Sequence, residues 1–101
     1  MKTVDVHELH DNLPIIGQLL DVREADEFSE GHVPTAINRP LSQINAWLSE
    51  LSDKVIYTII CRSGRRSALA IEQMQLVGID GSNVTGGTLA WQAAGFATVT
   101  E

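Results

Sequence analysis

The sequence holds a single cysteine. That excludes an internal disulfide and any cage of cysteine metal ligands. It holds no run of about 18 or more apolar residues, so no membrane-spanning helix is predicted. Basic residues are few: 7 Lys and Arg stand against 13 Asp and Glu, for a formal net charge of -6. Nucleic acids and anionic membranes both require a basic footprint, so neither is expected as the main partner. There is no internal repeat, low-complexity tract or long linker. The N-terminal segment MKTVDVHELHDN lacks the apolar stretch of a signal peptide, which predicts a cytoplasmic protein.

What is present is the balance of an ordinary globular protein, 44% hydrophobic and 20% charged. The 101 residues predict one domain over 1–101. A chain of this size buries one core with little stability to spare.

Strand and helix patterns alternate. Thr3-Val4 suggests a short strand, and Asp5 with Glu8 makes a capping-box pair opening a helical turn through Leu9. Gln18 to Arg23 reads as a buried strand with a charged end. Glu24 to Glu30 reads as a short acidic helix stopped by Gly31, its carboxylates a solvated face. A short strand is predicted over 36–38. Pro40 to Leu51 is the clearest amphipathic helix, with Leu41, Ile44, Trp47, Leu48 and Leu51 on one face. Val55 to Ile60 is rich in β-branched residues, the pattern of a strand covered on both faces. A helix follows over 65–77, with Leu69, Met74, Leu76 and Val77 as its apolar positions and Gly78 closing it. Asn83 to Thr85 is the last strand, and Thr88 to Ala94 the last helix. Such alternation predicts an α/β fold whose mostly parallel sheet carries helices on both faces.

The only thiol, Cys61, ends the most hydrophobic strand. In open parallel sheets ligands bind at the carboxyl ends of strands, beside a switch in strand order. Three of the seven basic residues, Arg62, Arg65 and Arg66, fall within five positions of Cys61. With Ser63, Gly64 and Ser67 they form a strand–loop–helix junction. Backbone N–H groups of such a loop converge on one point, and the following helix adds the positive end of its dipole. A thiol in that cradle favours its anion, and the thiolate is the nucleophile. No histidine adjoins the loop. Asp21 and Arg23 are expected as a structural ion pair, His32 as a hydrogen-bonded structural residue, and Trp47 and Trp91 as core.

Cys61-Arg62-Ser63-Gly64-Arg65-Arg66-Ser67 resembles the active-site loop of the rhodanese family. Two flanking segments agree. Leu19 to Arg23, Glu27-Phe28 and Gly31 to Asn38 resemble the family's N-terminal motif. Val84-Thr85-Gly86-Gly87 with Trp91 and Gly95 resembles its C-terminal one. Thr35 departs from the pattern, which more often has glycine there. The resemblance implies a rhodanese-like three-layer domain and a sulfurtransferase that needs no metal or organic cofactor. Cys61 would take the outer sulfur of a donor such as thiosulfate and pass it, as a persulfide, to cyanide or a thiol. A protein persulfide is a further candidate partner. Arg62, Ser63, Gly64, Arg65, Arg66 and Ser67 are then the substrate-binding loop, with Arg66 the foremost candidate to meet the anionic donor. Two other readings compete: a rhodanese-fold binding or regulatory module without turnover, and a cysteine-based phosphatase or arsenate reductase. The related dual-specificity phosphatases place Arg after five intervening residues, whereas here four separate Cys61 from Arg66 and Ser67 occupies the phosphatase arginine's position.

Overall fold

A computed structural model of the protein describes residues Met1–Glu101. Five strands, β1 (Lys2–Val4), β2 (Gln18–Asp21), β3 (Ile37–Asn38), β4 (Tyr57–Ile60) and β5 (Ser82–Val84), form one sheet in the order β1-β5-β4-β2-β3. Every pairing is parallel, as the strand–helix alternation predicts. The helices are α1 (Val6–Asp11), α2 (Ala25–Glu30), α3 (Ile44–Trp47), α4 (Arg65–Leu76) and α5 (Gly87–Ala93). Asp5 caps α1 through its side chain, with Glu8 completing the capping box.

Side chains alternate across the two central strands, which divides the core by sheet face. Leu20 and Val22 with Tyr57, Ile59 and Cys61 pack toward Ala70, Ile71 and Met74 of α4, and toward Trp47. Leu19 and Ile60 pack the other way, with Val6 and Leu9 of α1, Val84, and Trp91 of α5. Both tryptophans are core, as expected. Trp47 Nε1–H donates to Pro40 O at 2.8 Å, and Trp91 Nε1–H to Ala97 O at 2.9 Å.

Two helices differ from the sequence reading. The segment 40–51 is not one helix. It runs as a 3-10 turn (Leu41–Gln43), α3, and a second 3-10 turn (Leu48–Glu50). Leu41, Ile44 and Trp47 are three residues apart, as are Leu48 and Leu51. A 3-10 segment keeps that spacing on one face, so periodicity alone does not separate the two forms. In α4 the buried face is Ser67, Ala70, Ile71 and Met74, whereas Leu69 and Leu76 are exposed. The buried set has the i, i+3, i+4, i+7 spacing of one face, and Leu69 and Leu76, seven residues apart, lie off that face.

The chain leaves β2 for the edge strand β3, and leaves β4 for β5 on the other side. The strand order therefore reverses between β2 and β4, and their carboxyl ends border the crevice where such folds place ligands. Asp21 and Arg23 stiffen this end. Asp21 is fully buried and takes Arg23 Nη2 at 2.8 Å and Nε at 3.1 Å. Arg23 also donates to Gly31 O at 2.8 Å and Glu27 O at 3.3 Å, tying β2 to both ends of the last turn of α2. His32 is structural too: its Nδ1 lies 2.8 Å from Phe28 O, its ring stacks on Phe28, and its backbone bridges to Val99.

Removing one partner of a buried ion pair strands the other charge, so Asp21→Ala should cost about 3–5 kcal/mol in urea denaturation. Thr35 has φ +77°, a left-handed conformation that a β-branched residue enters only under strain. Thr35→Gly should therefore stabilise the fold by about 1 kcal/mol, read as a rise in thermal midpoint of about 4–8 °C.

Candidate active site

Cys61 follows directly on β4, whose hydrogen bonds to β2 continue to the last residue, with Val22 N–H donating to Ile60 O at 2.9 Å. Its side chain lies on the α4 side of the sheet and is 1% exposed. The chain then turns through Arg62 and Ser63 to Gly64, which has φ +101° and starts α4. The left-handed backbone at Gly64 reverses the chain within three residues, at no cost only for glycine. The reversal aims Gly64 N–H at Cys61 Sγ, 3.1 Å away.

The carbonyls of the loop are held outward by α5. Thr88 N–H donates to Cys61 O at 2.9 Å and Leu89 N–H to Arg62 O at 3.0 Å, and the Thr88 hydroxyl adds a bond to Cys61 O at 3.2 Å. Gly87 permits this approach, because a Cβ there would collide with both carbonyls. Three donors that open α5 thus satisfy the acceptors of the loop and leave its N–H groups free for the sulfur.

Ser67, buried in the first turn of α4, places its Oγ 3.3 Å from Cys61 Sγ. It also donates to Asn83 Oδ1 at 2.5 Å. The Asn83 amide donates to Gly64 O at 2.9 Å, so its oxygen must face Ser67. One residue of β5 therefore braces both the glycine of the loop and the serine of the helix. A hydroxyl has one proton. With Cys61 protonated, its S–H donates to Ser67 and Ser67 donates to Asn83. Ser67 supports the thiolate by turning that proton to sulfur.

The balance at the sulfur favours ionisation. Burial opposes the charged form, but the Ser67 hydroxyl and the N–H groups of Ser67, Ser63 and Gly64 outweigh it and hold the thiol below its ordinary pKa. The principal supports are these dipoles rather than the arginines.

The arginines are placed unequally. Arg66 is bound by Glu27 of α2 in a bidentate pair, Nη1–Oε1 2.6 Å and Nη2–Oε2 2.8 Å. Arg62 and Arg65 are exposed and make no ion pair. Glu27 is held below its ordinary pKa, at about 2, chiefly by the Arg66 hydrogen bonds. The acidic helix is thus not wholly the solvated face its composition suggests: Glu27 spans from α2 to the loop, and Glu24 accepts from Ser42 Oγ at 2.6 Å. A cleft of about 240 Å³ opens beside the loop, lined by Arg23, Glu27, Glu30, Arg62, Leu89 and Gln92 among others.

Sequence reasoning placed Cys61, Ser63, Gly64 and Ser67 at one junction, and the structure brings them together. It missed Asn83, Thr88 and the role of Glu27. Asn83 and Thr88 flank Val84 to Gly87, which was recognised as a motif without a contact to assign it. The signal for Glu27 was its position at N3 of α2, which reads equally well as a capping glutamate; it does accept the Glu24 N–H at 3.2 Å.

A strand–loop–helix cradle around one activated thiol, at the switch point of a five-stranded parallel sheet, defines the class. The model of the Rhodanese-like domain family matches residues 4–94, and the chain belongs to that family. It is similar to the putative sulfurtransferase YtwF of Bacillus subtilis, 36% identical over 74 residues, covering 73% of this chain and 72% of that protein. It is also similar to the chloroplastic thiosulfate sulfurtransferase 16 of Arabidopsis thaliana, 33% identical, covering 96% of this chain and 92% of that one. The chain spans about half (46%) of the length of another curated relative. Among solved structures, a rhodanese-related protein from Thermoplasma volcanium superposes over 100% of both chains with a TM-score of 0.91 and 31% identity. These likenesses support a sulfurtransferase-family role.

Ser67→Ala removes a hydrogen bond that strengthens on ionisation. Iodoacetamide alkylation of Cys61, followed against pH, should show its midpoint move upward and its rate at neutral pH fall about tenfold. An unmoved midpoint would mean that the loop N–H groups alone set the thiolate.

Proposed function

We propose that the protein is a sulfurtransferase in which Cys61 carries the transferred sulfur. The observation that carries this reading is the buried Cys61 Sγ, 3.1 Å from Gly64 N–H and 3.3 Å from Ser67 Oγ, with its pKa lowered by the Ser67 hydroxyl and by backbone N–H groups. Nothing in that arrangement requires a neighbouring base: the lowered pKa raises the share of Cys61 present as the nucleophilic thiolate.

In the first step the Cys61 thiolate attacks the outer sulfur of a donor. With thiosulfate a new S–S bond forms, the original S–S bond breaks, and its electron pair leaves on sulfite. The charge on the outer persulfide sulfur then falls in the mouth of the cradle, where N–H groups and the α4 dipole stabilise it. In the second step an acceptor thiolate or cyanide attacks that outer sulfur and Cys61 leaves as the thiolate. The electrons balance within each displacement, so no redox partner is needed. The exposed Arg62 and Arg65 meet an anionic donor at the surface. Arg66 supplies its charge from the Glu27 pair. The open mouth also suits a persulfide presented by another protein.

The named relatives support a sulfurtransferase-family role, and the geometry of the loop supports the mechanism. The spacing of four residues between Cys61 and Arg66 favours it over phosphoryl chemistry, because Ser67 stands where the phosphatase motif places its arginine. Intact mass after incubation with thiosulfate should show a gain of one sulfur atom, reversed by cyanide. Cys61→Ser should abolish the gain and the turnover, with thermal stability within about 1 kcal/mol of the parent. A folded, reduced protein that takes no sulfur from thiosulfate or from any persulfide would identify it instead as a binding module.

A further inference from the structure

The Ser67 hydroxyl has one proton and two acceptors within reach. Its Oγ lies 3.3 Å from Cys61 Sγ and also bonds to Asn83 Oδ1. Ser67 is fully buried, so bulk solvent does not compete for the hydroxyl. Asn83 is pinned on both sides by the sheet, paired with Thr3 of β1 and with Ile59 of β4. Its amide nitrogen donates to Gly64 O at 2.9 Å, which fixes its oxygen toward Ser67. That oxygen accepts a hydrogen bond and cannot give one. Sulfur and amide oxygen therefore compete for the same proton, and the charge on the sulfur decides between them.

We propose that Asn83 is a positioning residue acting through Ser67: its carbonyl oxygen takes the serine's proton while the Cys61 sulfur is capped, by a proton or by a transferred sulfur, and yields it when the sulfur is a bare thiolate. With Cys61 protonated, S–H donates to Ser67 and Ser67 donates to Asn83. With the sulfur bare, the hydroxyl turns to it and Asn83 loses its donor. With an outer sulfur attached, Sγ carries no charge and the hydroxyl returns to Asn83. Asn83 thus stabilises both capped forms over the bare thiolate by one hydrogen bond, and so moderates the ionisation that Ser67 promotes. The statement about the sulfur-loaded form rests on the sulfur-transfer reading given above; the statement about the thiol does not. In loading by thiosulfate, the Cys61 thiolate bonds to the outer sulfur, the original S–S bond breaks, and its electron pair leaves on sulfite. The hydroxyl only rotates, and no proton is exchanged. In discharge it rotates back as charge builds on the departing Sγ.

The test is a double-mutant cycle on the pH midpoint of Cys61 alkylation by iodoacetamide, read in the parent protein, Asn83→Leu, Ser67→Ala and the double variant. Asn83→Leu also releases Gly64 O, but it does so with or without Ser67, and that effect cancels in the cycle. The charged groups on the surrounding elements are Arg62, Arg65 and Arg66, Glu27 of α2, and the Asp21–Arg23 pair; all four proteins keep them. Relative to its effect in Ser67→Ala, Asn83→Leu should lower the midpoint by about 0.7 pH unit when Ser67 is present, about a fivefold change in the ratio of thiolate to thiol. Asn83→Asp keeps the acceptor and strengthens it with charge, so its coupling to Ser67 should have the opposite sign. It also serves should Asn83→Leu fail to fold. If Asn83 instead aims Ser67 at the sulfur, Asn83→Leu raises the midpoint through Ser67. If it braces Gly64 alone, the coupling vanishes. Either result overturns the proposal. The loaded form is read by intact mass at a fixed ratio of thiosulfate to sulfite, at a pH above the alkylation midpoint. The ratio of loaded to bare protein should fall about fivefold in Asn83→Leu, relative to the same change made in Ser67→Ala. An unchanged ratio overturns the statement about the loaded form. A parent protein that takes no sulfur from thiosulfate or cysteine persulfide overturns the sulfur-transfer reading and that statement together, while the alkylation coupling decides the statement about the thiol by itself.

Discussion

The site depends on which way one short stretch of backbone faces. The carbonyls of Cys61 and Arg62 point away from the sulfur because Thr88 and Leu89, at the start of α5, hold them. Every peptide carries one donor and one acceptor on opposite edges, so fixing the acceptors outward turns the donors inward. Holding Arg62 O outward thus turns the Ser63 N–H toward the sulfur, and the reversal at Gly64 and the first turn of α4 add the N–H groups of Gly64 and Ser67. The constraint reaches back to glycine: with a Cβ at residue 87 the first turn of α5 and the loop could not approach. The Gly86-Gly87 pair is far from Cys61 in sequence and bears no reactive group. It nonetheless decides whether the thiol is a nucleophile or an inert buried sulfur.

The sheet topology brings these parts together. Strand order reverses between β2 and β4, and α2 and α4 follow those two strands. Their ends meet at the reversal, where Arg66 of α4 reaches Glu27 of α2. The buried Asp21–Arg23 pair fixes the carboxyl end of β2 and, through Gly31 O and Glu27 O, fixes α2 as well. The Glu27 carboxylate is thus positioned by a chain of contacts that begins in the sheet. A buried pair of this kind is weak evidence of stabilisation, since desolvation offsets attraction. Its effect here is geometric, in holding α2 at one distance from the loop.

Much of this was legible in the sequence, for reasons that differ by element. Strand β4 was readable because a strand buried on both faces leaves a continuous apolar run, although Val55 and Ile56 fall outside it. Helix α1 was readable because Asp5 and Glu8 make a local cap that needs no tertiary contact. The segment 40–51 was misread because a spacing of three serves an α-helix and a 3-10 turn alike. The exposed Leu69 and Leu76 misled because size was allowed to stand for burial, while the helix packs through the smaller Ser67 and Ala70 near the loop. Cys61 and its neighbours were legible as a contiguous motif. Asn83, Thr88 and Glu27 were not, since each acts through a partner 16 or more residues away. Hydrogen bonds of that range carry no periodicity.

The sequence weighs the arginines by proximity to Cys61 alone, and the Arg66–Glu27 pair shows what proximity leaves out. A cluster of cations beside a thiol suggests activation by charge. Yet an arginine acts through its whole environment, and an acid from another helix, as Glu27 is for Arg66, can occupy its hydrogen bonds. Backbone dipoles cannot be cancelled in that way once the loop is fixed, because they have no freedom to find another partner. The groups that lower the pKa of the thiol and the charges at the mouth of the loop therefore belong to different parts of the site. The Ser67 hydroxyl and the peptide groups of residues 63, 64 and 67 lower the pKa of the thiol, whereas the side chains of Arg62 and Arg65 stand exposed at the surface. Separation of this kind allows the surface charges to change by substitution while the backbone that holds the sulfur stays as it is, because no hydrogen bond to Cys61 Sγ passes through those side chains.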